Sequence, residues 1–163
     1  MPNIKTRINW VKNADKSILA NIPCAFDIET SSFYDSKQEK TSIMYEWTFG
    51  ILDHIFIGRT WKKFIWFLSV LSYELGLNIN KRVLIYVHNL SFEFQFMRKW
   101  FEWLRVFSVK ERTPIYAINT LGFEFRCSYL LSGYGLQKLA ENIPGNDVKK
   151  LMGNLDYSVI RTQ

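Results

Sequence analysis

The chain has 163 residues, 48% of them hydrophobic, and this length predicts one compact domain over 1–163 rather than two. Its 21 Lys and Arg against 15 Asp and Glu, with 17% aromatic residues, favour a polyanionic partner that stacks on rings, such as single-stranded DNA. Two cysteines without metal-type spacing exclude a zinc site, and no apolar run reaches the roughly 20 residues of a membrane span, so we expect a cytoplasmic protein with no membrane partner.

The first third of the chain predicts strands. Residues 1–22 are polar and basic, which indicates an N-terminal arm or a loosely packed lead-in. The run 24–31 is a buried strand, and the polar stretch 32–40 is an exposed loop. Aromatic and β-branched residues fill 43–52 and 54–58, which predicts an antiparallel hairpin.

In the middle of the chain, the spacing of apolar residues changes from that of a strand to that of a helix. From Trp61 to Leu75, apolar residues recur at helical spacing, with Thr60 as N-cap and Gly76 as the stop. The apolar run 82–88 then predicts a buried strand. A second amphipathic helix is predicted after it from six apolar side chains: Phe92, Phe96, Trp100, Trp103, Leu104 and Phe107.

The last third predicts a second hairpin from 114–118 and 123–128, and then a short helix over 136–142. Strands and helices therefore follow one another along the chain without repeats or linkers. This order predicts an α/β fold, a mixed sheet with flanking helices packed on it.

Asp27 and Glu29 carry the first chemical signal. Side chains alternate along a strand, so these two acids share one face while Phe26 and Ile28 point into the core. Two carboxylates so close raise each other's pKa unless a cation lies between them, and this favours a divalent metal site. The alternative is a half-exposed strand whose polar face carries two acids.

A third carboxylate follows the central strand. Polar groups at strand ends meet in a crevice in such sheets, so Glu93, just after His88 and Asn89, is a candidate to join the first two acids. The alternative makes Asn89 a helix cap and Glu93 a favourable acid of the first helical turn. Both interpretations hold together without conflict.

These residues resemble a known family. Phe26-Asp27-Ile28-Glu29-Thr30 resembles the first exonuclease motif, Asp-x-Glu, of proofreading DNA polymerases. The stretch 86–93, Tyr-Val-His-Asn-Leu-Ser-Phe-Glu, resembles the second motif of the protein-primed family-B DNA polymerases of small bacteriophages, although many members carry Asp at the position of Glu93. The segments 127–129 and 135–139 are similar to the part of that domain that touches the single-stranded end.

The resemblance implies a ribonuclease-H-like fold and a 3′–5′ exonuclease, acting with Mg²⁺ or Mn²⁺ on single-stranded 3′ ends in an infected bacterium. It implies that Asp27, Glu29 and Glu93 hold two ions, one generating the attacking hydroxide and the other stabilising the leaving 3′ oxygen. It also implies a set of side chains that orient the DNA strand: Thr30, His88, Asn89, Phe92, Ser128 and Tyr129. From the residues alone, Phe92 is also expected to be a core residue, and the alternative for Ser128 is that it simply ends a strand.

The family's third motif, Tyr-x-x-x-Asp, has no counterpart after Tyr129, and neither Asp147 nor Asp156 has the required spacing. The polymerase palm is also missing. We therefore expect a truncated exonuclease domain, impaired alone and completed by the remaining part of a polymerase. The alternatives are a catalytically disabled phage protein that binds single-stranded DNA or inhibits a host or defence protein, and an inert fragment.

Overall fold

The computed structural model describes residues 4–143 and 159–161. Its helices are α1 (Ile4–Arg7), α2 (Trp61–Leu75), α3 (Leu90–Met97), α4 (Ser128–Ser132) and α5 (Leu136–Glu141). Its strands are β1 (Asn9–Lys12), β2 (Ile18–Asn21), β3 (Cys24–Tyr34), β4 (Lys40–Ile51), β5 (His54–Gly58), β6 (Lys81–Val87), β7 (Trp103–Lys110), β8 (Thr113–Asn119) and β9 (Phe123–Cys127).

In the described residues, the nine strands form one mixed sheet, in which seven follow the order β5-β4-β3-β6-β9-β8-β7 and the other two, β1 and β2, are attached beside β6 through β2. β3, β4 and β5 form an antiparallel meander, β6 pairs in parallel with β3 and β9, and β7, β8 and β9 are antiparallel. The predicted α/β class, with a mixed sheet and flanking helices, is confirmed. Both predicted hairpins, β4–β5 and β8–β9, are also present.

Helix α2 packs its aromatic side chains against β3, β4 and β5. The Thr60 side chain accepts a hydrogen bond from Lys63 N at 3.2 Å, and Gly76 ends the helix in the left-handed conformation (φ 61°), as the sequence predicted. The Phe64 ring stacks on Phe26 of β3, with 4.6 Å between ring centroids. This aromatic packing fixes the strand that carries Asp27.

The prediction of an N-terminal arm over 1–22 is wrong for the residues of this segment that the structure describes. β1 pairs with β2, and β2 lies parallel to the start of β6. Ile4 is 3% exposed and Ala20 is 2% exposed, so both belong to the core. Strands of four residues are too short to show a clear period, but β2 pairs with backbone groups of β6 that would otherwise be unpaired, and β1 pairs with β2 in turn.

The prediction of a second amphipathic helix from Phe92 to Phe107 is correct only for its first part. α3 ends at Met97, and the residues from Trp103 onward form β7, which pairs with β8 and stacks Phe107 on Tyr116. Helical spacing of the aromatic residues here is a coincidence, because cross-strand packing against β8 decides the local structure.

The polar loop predicted over 32–40 is shorter in the structure. β3 continues to Tyr34 and β4 begins at Lys40. The Asp35 carboxylate closes the turn between them by accepting hydrogen bonds from Lys37 N at 2.8 Å and Glu39 N at 2.9 Å. The predicted helix over 136–142 corresponds to α5.

Candidate functional site

Asp27 and Glu29 lie together on one face of β3. Phe26, which precedes Asp27, and Ile28, which lies between the two acids, are 2% and 6% exposed, so the core side chains alternate with the acids as the sequence predicted. Because Thr30 follows Glu29 directly, strand alternation directs its side chain to the other face, away from the two acids.

A further acid, Glu46, lies beside Asp27 and Glu29. It is the β4 residue directly opposite Glu29, and the pKa of Glu29 is raised by burial and then by the charges of Asp27 and Glu46. The sequence analysis missed Glu46 because the register of β3 against β4 was unknown. A turn placed at 35–39 pairs Tyr34 with Lys40, and counting back from it without a bulge would place Tyr45, not Glu46, opposite Glu29.

The ladder changes register immediately beyond this acidic pair. Glu29 faces Glu46 but Thr30 faces Met44, so Tyr45 is the extra residue of a β-bulge in β4. On β3, the next residue on the acidic face is Ser31, whose hydroxyl accepts a hydrogen bond from Arg161 N at 2.9 Å. The bulge therefore lies between the acidic residues of β3 and the buried, uncharged Ser31.

Glu93 is the buried member of the site. It lies in the first turn of α3, is 4% exposed, and its Oε2 has no hydrogen-bond partner among the described residues. Burial raises the pKa of Glu93 to about 8, helped by the negative charge of Asp27 and by a hydrogen bond to Asp27 that only the protonated acid donates. The strand end thus brings Glu93 beside Asp27.

The fit of these residues to a divalent cation depends on how many carboxylates the cation needs. In the described part of the chain, no group of three or more His, Cys, Asp or Glu side chains is arranged to hold a metal ion. Mg²⁺, however, is usually held by one or two carboxylates, with water and substrate phosphates completing its shell. Asp27 with the orphaned buried oxygen of Glu93 meets that requirement, so the residues fit such an ion.

A second group of predicted residues comes together at the ends of β6 and β9. His88 Nδ1 lies 3.2 Å from Ser128 Oγ, and the His88 ring packs edge-on against Tyr129 at 5.8 Å between centroids. Ala25 pairs with Tyr86 in the parallel ladder, so Asp27 and His88, two residues further on, are level on adjacent strands. Ser128 begins α4 rather than ending a strand.

Asn89 does not act as the side-chain helix cap, and Phe92 is not the core residue, that the sequence analysis offered as alternatives to a binding role. Asn89 is at the N-cap position, but its side chain makes no capping hydrogen bond; its backbone is left-handed (φ 71°) and its Oδ1 accepts a hydrogen bond from Ser91 Oγ. Phe92 is 43% exposed, so its prediction as a core residue is wrong, and its ring packs at 5.1 Å on Phe96. Both side chains are therefore available to a ligand.

Comparisons with protein-family models, curated proteins and solved structures found no match. Among the described residues, no helix has the length and apolar character needed to cross a membrane. Asp147 and Asp156, considered above as substitutes for the third motif, lie outside the described residues.

Proposed function

We propose that the chain is a ribonuclease-H-like 3′–5′ exonuclease domain of the kind found in protein-primed family-B DNA polymerases of small bacteriophages, removing nucleotides from single-stranded 3′ ends in the bacterial cytoplasm. The observation that carries the proposal is the buried carboxyl of Glu93, with an unpartnered oxygen, beside Asp27 at a strand end. Burying an acid with one oxygen left without a hydrogen bond is costly, and such groups concentrate at functional sites. The mixed sheet with flanking helices supports the same assignment.

Asp27, Glu29 and Glu93 would hold Mg²⁺ or Mn²⁺ in this proposal. Bound divalent ions would supply Lewis-acid activation of water and of the phosphodiester. Glu93 keeps its proton at neutral pH in the metal-free protein, and this proton must leave before the carboxylate binds a cation. Cation affinity should therefore rise with pH up to about 8, the pKa of Glu93.

The side chains next to the acids would orient the DNA strand. Phe92 and Tyr129 are both more than 40% exposed and offer ring faces for stacking of bases. His88, held by Ser128, and Asn89 supply polar atoms for the sugar and phosphate. Thr30, on the opposite face of β3, would contribute through its backbone or from the far side of the strand.

One observation favours a second function. The described residues contain no group of three metal-ligating side chains, which suits a protein that kept the fold and binds single-stranded DNA, or a host or defence protein, without cleaving it. In this alternative, the exposed rings act as the binding surface and the acids have no catalytic role.

The two functions are separated by release of mononucleotides from a 3′-labelled single-stranded oligonucleotide with Mn²⁺. The exonuclease proposal predicts release that Asp27→Ala abolishes and that Glu74→Gln, a change to an exposed acid on α2, leaves unchanged. Absence of release at pH 7 and pH 9, with retained binding of the oligonucleotide, would support the non-enzymatic function instead.

A further inference from the structure

An open groove of about 570 Å³ lies between the start of β4, the N-terminus of α2 and the end of α3. Its walls include Met44, Trp61, Phe96 and Trp100, and its rim carries Arg98 and Lys99. The groove thus combines ring surfaces with two cationic side chains. None of its residues belongs to the proposed catalytic site.

The groove adjoins that site along α3. Phe96 lies one turn after Phe92 on α3, and their rings are in contact. A strand placed on Phe92 with its end at Asp27 would therefore continue into the groove.

Trp100 provides the main stacking surface. It is 37% exposed and lies nearly parallel to the buried Trp61, with 6.3 Å between centroids and 22° between ring planes. Trp61 therefore holds the Trp100 ring in a fixed orientation, which lowers the entropy lost when a planar group stacks on it.

Arg98 and Lys99 give the groove its charge. Both are exposed, and neither forms an ion pair within the described part of the chain. The Lys99 ammonium lies over the Trp100 ring at 5.7 Å from its centroid, a weak contact that an anion can replace. Unpaired cations beside an exposed ring are complementary to a ligand that is both planar and anionic.

We propose that this groove binds a nucleotide of the single-stranded DNA upstream of the 3′ end, with the base stacked on Trp100 and the phosphate between Arg98 and Lys99. The proposal rests on the proposed function, because the same strand would reach the carboxylates. It extends the binding surface beyond the side chains that the sequence predicted. It also gives the positive charges of Arg98 and Lys99, which directly follow α3, a role in substrate binding.

The test measures binding of a fluorescent single-stranded oligonucleotide by anisotropy in chelator, so that no cleavage is involved. Trp100→Ala should weaken binding roughly 5- to 150-fold, the range for loss of one base–aromatic stack. Arg98→Ala with Lys99→Ala should weaken it and reduce the salt slope, log K against log salt, by about 0.7, the contribution of one phosphate contact on a single strand. This charge variant also serves if Trp100→Ala disturbs packing on Trp61.

Matched controls are Trp66→Ala, which removes a tryptophan 68% exposed on α2, and Lys5→Ala with Lys12→Ala, which removes two exposed charges from α1 and β1. Both should bind like the unmodified chain. Equal affinity of the groove variants and these controls, or no binding by the unmodified chain, would overturn the groove proposal. Loss of binding in the groove variants without any nuclease activity would instead contradict only the exonuclease chemistry.

Discussion

Replacing Glu93 by Gln tests the buried acid through the pH dependence of stability. The pKa of Glu93 is about 8 in the folded chain, against 4.5 for an ordinary glutamate. Between these pH values the folded protein retains a proton that the unfolded chain has lost, so the free energy of unfolding falls as pH rises. At 1.36 kcal/mol per pH unit, the whole interval corresponds to about 5 kcal/mol. The raised pKa of Glu29 acts in the same direction.

Gln has nearly the same shape as Glu but carries no titrating proton. In chelator, unfolding by urea should show a loss of several kcal/mol for the unmodified chain between pH 5 and pH 8.5. Glu93→Gln should remove most of this slope and should therefore be the more stable protein at pH 8.5. Glu74→Gln, at an exposed position, should keep the slope of the unmodified chain.

The reasoning is refuted if the unmodified chain is equally stable at pH 5 and pH 8.5. It is also refuted if Glu93→Gln keeps the slope, because another group would then take up the proton. A loss of this size is readily measured, since a whole domain is stabilised by only about 5–15 kcal/mol.

Three further changes have defined outcomes. Mn²⁺ at 100 times its dissociation constant should stabilise the fold by about 2.7 kcal/mol in calorimetry, and Asp27→Ala should remove this gain; equal melting temperatures with Mn²⁺ and with chelator would exclude a metal site. Tyr129→Ala should weaken binding of single-stranded DNA by about 1–3 kcal/mol in anisotropy, whereas equal affinity for single strands and duplex would argue against stacking. Gly58→Ala should lower the free energy of unfolding by about 1–3 kcal/mol, because the added Cβ would collide with the buried Trp47 ring; an unchanged urea midpoint would show that the ring moves freely.

Elements with several concordant local signals were predictable from the sequence. α2 combines a cap at Thr60, a stop at Gly76 and an apolar face between them, so the local preferences and the tertiary packing favour one structure. The alternation of β3 likewise placed Asp27 and Glu29 on one face, because burial of Phe26 and Ile28 leaves no other register.

Elements that depend on a distant partner were not predictable. β7 has aromatic residues at helical spacing and becomes a strand only because β8 pairs with it. β1 and β2 are too short for a periodic signal. Glu46 reaches the site through the register of the β3–β4 ladder, a property of two strands together rather than of either sequence.

The position of bound Mn²⁺, measured by anomalous X-ray scattering from crystals soaked in the ion, tests the central claim most directly. We expect a peak within coordination distance, about 2.0–2.6 Å, of carboxylate oxygens of both Asp27 and Glu93, and its loss in Glu93→Gln. Soaking at pH 8 or above favours the deprotonated acid and so the expected result. Mn²⁺ bound elsewhere, or absent from this pair at saturating concentration, would contradict the proposed site.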